Sequence, residues 1–123
     1  MNIITVDFET AYGGDLGFAK QTTEEYIRDP RFEVIGVAVQ VNNGKPVWFS
    51  GDHESMHQFL KKFDWGNSLA LAHNAIFDGA ILNWVYGIMP RGWLDTLSMG
   101  RALHGTEVGG SLKVLAEFYN LGE

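Results

Sequence analysis

Apolar and polar positions along this chain change rhythm often enough to mark its elements. Asn2 to Phe8 is an apolar, β-branched run and reads as a central strand. Residues 11–20 carry Gly13, Gly14 and Gly17 and no periodicity, which predicts a flexible loop leaving that strand's end, where it is placed either to cover a site or simply to connect. Thr22-Thr23-Glu24-Glu25 opens a helix that must stop near Asp29, ahead of Pro30. Phe32 to Val41 alternates, Asn42-Asn43-Gly44-Lys45 signals a hairpin turn, and Pro46 to Phe49 is the return strand. A helix over His53 to Phe63 places Met56, Phe59, Leu60 and Phe63 on one face. Ser68 to Ala72 is a short apolar strand. Ala75 to Tyr86 follows as a helix, apolar on nearly every side and so expected to be well buried, ending at Gly87 and Pro90. Trp93-Leu94 is a short last strand. Asp95-Thr96-Leu97 opens a helix to about Leu103. Residues 104–110 form a loop, and Ser111 caps a helix over Leu112 to Leu121.

Strands come first as a three-stranded antiparallel meander, then alternate with helices. That order predicts an α/β class: a mixed sheet, the meander plus parallel strands, with helices on its faces. The 123 residues fit one domain, 1–123.

Composition narrows the chemistry. The chain has no cysteine, which removes disulfides, thiolate zinc sites and cysteine nucleophiles and is compatible with a reducing cytoplasm. No apolar run approaches the roughly 20 residues of a membrane helix, so no membrane partner is expected. A formal net charge of −6 argues against wrapping nucleic acid with a broad basic face. It leaves room for an enzyme that holds a few nucleotides at a metal site, because bound divalent ions would serve as the cationic patch.

The candidate chemistry is acidic. Asp7 and Glu9 end the first strand and project to one face, with Cα atoms about 6.5–7 Å apart. Asp78 lies in the first turn after the fourth strand, where strand ends and helix starts can meet at one sheet edge. Converging carboxylates suit Mg2+ or Mn2+. Each residue also has a plainer reading. Asp7 and Glu9 can be a solvated strand end, Asp78 can complement a helix N-terminus, Asn74 can be that helix's N-cap, and Phe77 can be core. Asp95 can be a cap or a structural acid. His53 and His57, one turn apart, read as surface histidines beside an apolar stripe rather than a metal pair.

The ordered set resembles a known family. Val6-Asp7-Phe8-Glu9-Thr10 resembles the first motif of the DEDD-superfamily 3′–5′ exonucleases, which have an RNase H-like fold. His73-Asn74-Ala75-Ile76-Phe77-Asp78 resembles the second. Leu94-Asp95-Thr96-Leu97, followed by Gly110-Ser111-Leu112-Lys113-Val114-Leu115-Ala116, resembles the segment that usually comes next. The likeness is greatest to the proofreading domain of phage-type family A DNA polymerases, and it runs from Ile3 to about Gly122.

The resemblance implies an RNase H-like mixed sheet and two-metal hydrolysis of phosphodiester bonds at DNA 3′ ends with Mg2+ or Mn2+. Asp7 would bridge both ions, Glu9 would hold the water-activating one, and Asp78 would hold the other, directly or through water. Thr10, Asn74 and Phe77 would bind the 3′-terminal nucleotide, and Asp95 would be peripheral. The implied partners are a single-stranded DNA 3′ end and a polymerase domain in the same or another chain. The implied location is the cytoplasm, that of the host for a phage-encoded protein. Two alternatives stand beside this: an RNA 3′–5′ exonuclease, and a non-catalytic RNase H-like module that binds nucleic acid or a polymerase.

The family's third motif, an Asp preceded four residues earlier by Tyr or His, has no good counterpart. Tyr119 and Glu123 have the spacing, but Gly122 ends the helix between them. The expectation is therefore either a domain cut on its C-terminal side or a natural short protein with an incomplete site, in both cases with weak or absent activity on its own.

Overall fold

β1, Asn2–Thr10, is the middle strand of a five-stranded sheet and passes Phe8 to run to Thr10. The computed structural model describes residues 1–99. The expected helices over 112–121 and beyond 99, the 104–110 loop and the Tyr119–Glu123 pair lie outside the described residues.

The other elements are α1 (Thr23–Arg28), β2 (Val34–Val41), β3 (Val47–Phe49), α2 (His53–Leu60), a 3₁₀ turn (Trp65–Asn67), β4 (Ser68–Ala72), α3 (Ala75–Ala80), a π-helical turn (Ile81–Val85) and β5 (Gly92–Asp95). Residues 96–99 are helical. The sheet order is β3-β2-β1-β4-β5. β1 pairs antiparallel with β2, and β2 with β3, giving the expected meander. β4 lies parallel to β1, and β5 parallel to β4. The α/β class and the RNase H-like mixed sheet read from the sequence are those of the structure.

Alternation along β1 sorts its faces. Ile4, Val6 and Phe8 are buried, while Asp7 and Glu9 are exposed on the opposite side. Register puts Val37 and Val39 of β2, and Ala70 and Ala72 of β4, on the buried face. Met56 and Leu60 of α2, together with Ile81 and Leu82, close that core.

Several boundaries differ from expectation, each for a local reason. β2 starts at Val34 rather than Phe32, because Phe32 turns its ring edge-on to Tyr26 (centroids 5.0 Å apart). Register with β1 slips at Ile35, since Glu9 pairs with Gly36 but Thr10 with Val34, a bulge beside the acidic strand end. Pro46 stays outside β3. α2 stops at Leu60 rather than Phe63: the N–H groups of Lys62 and Phe63 bond three residues back, to Phe59 and Leu60, and tighten the chain out of α geometry. Phe63 still packs edge-on to Phe59. The helix expected over Ala75 to Tyr86 is α only to Ala80 and then widens into the π turn. It is also less buried than its composition suggested, with Ile76 73% and Trp84 46% exposed. The Arg28 guanidinium covers Trp84, 4.8 Å from the ring centroid.

Gly36 is constrained by contact. A Cβ there would meet the Trp48 ring and the Phe49 carbonyl. Gly36→Ala is expected to cost about 1–3 kcal/mol, read as a lower Tm. An unchanged Tm would mean that Trp48 swings clear at no cost.

Candidate active site

β4 accompanies β1 only as far as the pair Thr5–Leu71, so the last residues of β1 run on without a strand on that edge. The N–H of Phe8, between the two acids, would be left open there. It donates instead to Oδ1 of Asp78, 3.1 Å away, across 70 residues of sequence. Asp78 is therefore a side-chain continuation of the sheet at the point where β4 turns into α3. It is 3% exposed, not the simple helix-start charge that its position suggested.

Burial raises the Asp78 pKa to about 7; the Phe8 N–H pulls it back in part, and the negative charges of Asp7, Asp95 and Glu9 push it further up. Asp7 is also raised, first by desolvation, against a hydrogen bond with Glu9 and the charge of His73, which both lower it. Carboxylates from β1 and from α3 thus act on one another electrostatically.

Asn74 is at the N-cap of α3 but does not cap it with its side chain. It holds a left-handed backbone (φ 69°, ψ 67°), and its side chain makes no capping bond. Asp95 supplies the anchor: its Oδ1 accepts the N–H of Asn74 (2.9 Å) and of Leu97 (3.0 Å), and its Oδ2 accepts from the Ser98 hydroxyl (3.2 Å). Burial acts to raise Asp95, but donors from Ala75, Asn74, Leu97 and Ser98 together outweigh it and hold its pKa low. Of its two plainer readings, Asp95 fits both, as a cap for the 96–99 helix and as a structural acid for the strand-to-helix turn. His73 meets the Thr96 hydroxyl through Nδ1 at 2.9 Å, and its buried Nε2 has no hydrogen-bond partner among the described residues.

Phe77 and Thr10, each next in sequence to one of these acids, lie in the wall of a cavity of about 600 Å³ that also takes in Glu9, Tyr12, Leu16, Phe18 and Tyr26. The glycine-bearing loop forms its outer wall. That loop is tied down rather than free. Gly13 and Leu16 exchange two backbone bonds, Arg31 reaches Asp15 (2.7 Å) and Asp29 (2.8 Å), and Gln21 Oε1 accepts the Gly17 N–H. Gly13, Gly14 and Gly17 all have positive φ, which is why those positions are glycine.

Sequence reasoning missed Tyr26. It is 2% exposed and links three elements: its hydroxyl reaches Thr10 Oγ1 (2.7 Å) and the Ala11 carbonyl (2.6 Å), its ring stacks parallel to Phe77 (6.0 Å), and Phe18 packs edge-on to it (5.3 Å). The available signal was an aromatic at N4 of a capping-box helix, whose Thr22 and Glu25 bond each other's N–H groups. His53 is exposed and stacks on Tyr86 at 5.2 Å, as a surface histidine beside an apolar stripe.

The donor set suits a hard divalent cation in kind: three acidic side chains around one sheet edge, one of them buried and burdened by its neighbours' charge. In position it is not ready-made. Among the described residues, no group of three or more His, Asp or Glu side chains is gathered closely enough to hold an ion. No helix among the described residues is long and apolar enough to cross a membrane. Neither a protein-family model nor a curated protein matches the chain in sequence.

Proposed function

We propose that this chain is a metal-dependent 3′–5′ exonuclease domain of the proofreading type, acting on DNA 3′ ends. The observation that carries the reading is the Phe8–Asp78 hydrogen bond. It brings the buried acid of the second motif to the residue between the two acids of the first, at the edge where an aromatic-walled cavity opens. The expected ordered motifs, the mixed sheet and this juxtaposition support one another.

In this reading Asp7, Glu9 and Asp78 would hold Mg2+ or Mn2+. The chemistry such ions supply when bound is a more acidic water and neutralisation of charge on the phosphate. The reaction adds water across the terminal phosphodiester. The bond from phosphorus to the penultimate 3′-oxygen breaks, that oxygen takes a proton, and a nucleoside 5′-monophosphate leaves. Phe77 offers the terminal base a flat apolar wall. Asp95 acts at a distance, by holding the Asn74 N–H and so the turn from which Asp78 is presented. A polymerase domain is the proposed partner.

The second reading is a non-catalytic RNase H-like module that binds nucleic acid or a polymerase. The lack of a ready-made ion-holding group among the described residues favours it. A Mn2+ titration of wild type against Asp7→Ala tests the choice, read by ion binding and by trimming of a 5′-labelled single-stranded oligonucleotide. The expected result is saturable Mn2+ binding that weakens at least about tenfold in the variant, with weak trimming from the 3′ end in wild type only. Identical Mn2+ responses in the two proteins would overturn the metal-site reading. Binding of the ion without trimming would favour the module.

A further inference from the structure

Gly36 is buried, and the Trp48 ring fills the place where its Cβ would stand. Register fixes which face of the sheet this is. Gly36 pairs with Glu9, and Ala38 pairs with Asp7 on one side and Trp48 on the other. Directly paired residues project to the same face. The indole therefore lies on the face that carries both acids, with the Cζ2–Cη2 edge of its six-membered ring over Gly36, the residue opposite Glu9. Along the row Trp48–Ala38–Asp7, the outer Cα atoms are about 9–10 Å apart, two strand spacings. Gly36 and Ala38 between them carry no side chain tall enough to screen the indole from the carboxylates. Trp48 nevertheless stays 54% exposed.

We propose that Trp48 is a stacking platform for a base upstream of the scissile bond, in a single strand whose phosphates reach the ions at Asp7 and Glu9. This rests on the exonuclease reading for the identity of the ligand. Strands β1, β2 and β3 contain no Lys, Arg or His, so their acidic face offers a phosphate backbone no side-chain cation. What it offers away from the ions is an uncharged π face, and every base has a matching one. A chain of net charge −6 can hold a strand there through a base where it cannot hold it through phosphates. The ring is already seated on Gly36, so little side-chain freedom is lost when a base settles on it. The platform is two strands away from Asp7, so it serves a different nucleotide from the one at the ions.

The test uses a single-stranded thymidine hexamer and a set of the same hexamer with one base at a time replaced by an abasic sugar. Binding to the 123-residue chain in Mn2+ is followed by NMR before trimming sets in, with the Trp48 indole N–H assigned by its loss in Trp48→Phe. Trimming is measured in parallel. Wild type is expected to bind the intact hexamer with a shift of that indole resonance. Removing one internal base should weaken binding at least about fivefold, the worth of one stacked base. Trp48→Ala should lose the same factor on the intact hexamer and become indifferent to that base, while binding Mn2+ as wild type does. Trp48→Phe should keep part of the preference. A Trp48→Ala chain that binds every hexamer more weakly but still senses the missing base would show a merely structural role and overturn the proposal. Wild type that ignores every missing base, or binds no hexamer, would overturn it too. So would an indole shift that grows with protein concentration in the absence of DNA, which would mark the face as an interface between copies. Trimming without any dependence on the internal bases or on Trp48 would overturn it while leaving the exonuclease reading standing. Base-dependent binding without trimming would support the platform and place it on a non-catalytic module. Should Trp48→Ala fail to fold, Trp48→Phe and the abasic set carry the same comparison.

Discussion

Replacing Asp78 by Asn is expected to make the protein more stable at neutral pH and, on the proposed function, to abolish trimming. Asp78 titrates near 7 in the folded chain against 3.8 for an ordinary aspartate. The folded state therefore holds a proton that the unfolded state gives up. As pH rises above about 4, the unfolded chain ionises and the folded one resists, so stability falls until pH passes about 7 and then levels off. The full difference is of order 4 kcal/mol at about 1.4 kcal/mol per pH unit. Asn stays neutral, and its amide oxygen can keep the Phe8 N–H. Asp78→Asn should therefore gain a few kcal/mol at pH 8 in the absence of divalent ions and show little gain at pH 4. Urea unfolding at the two pH values measures this. A wild-type stability that is flat from pH 4 to 7 would contradict it. On the proposed function, Mn2+ should raise wild-type Tm more at pH 8 than at pH 5, since only the ionised carboxylate binds it.

Asp95→Ala should act in the opposite sense. Its carboxylate is held below the usual range by the N–H groups and hydroxyl that surround it, so it contributes stability when ionised. That stability is present above about pH 4 and is lost as pH falls through the folded-state value. Removing Asp95 leaves the Asn74 N–H without its acceptor, at a residue already held in left-handed geometry. The expected cost near neutrality is about 2–4 kcal/mol, from bonds to a charged group worth about 1.5–3 kcal/mol each, partly replaced by water. The difference from wild type should shrink towards pH 3. Asp95→Asn, which can still accept from one N–H, should recover part of it. A deficit that stays constant with pH would show that shape, rather than charge, is what Asp95 contributes.

What the sequence made legible follows from what is local. β4 was readable to the residue because Ser68 to Ala72 is a clean apolar run between turns, and the meander was readable because Asn42-Asn43-Gly44 forces a hairpin, with Asn42 at φ 53°. Asp7 and Glu9 were placed on one exposed face by alternation alone. Three things were hidden. The Phe8–Asp78 bond depends on β4 stopping short of β1, a register fact with no local signature. Asn74 looked like a side-chain cap, and Asp95, 21 residues away, took over the anchoring. Tyr26 went unnoticed, because its hydroxyl bonds depend on how α1 docks against the end of β1. In each case a side chain satisfies a distant polar group, and such pairings exist only once the sheet has assembled.

The Phe8 amide has one more consequence. It is the single backbone proton that points from the central strand at the buried acid, and its acceptor changes charge near neutrality. Its chemical shift should therefore follow the ionisation of Asp78 directly, and its exchange with solvent should report when the strand and helix part. The chain thus contains its own spectroscopic gauge, one backbone hydrogen that registers the state of the site without any label or substrate.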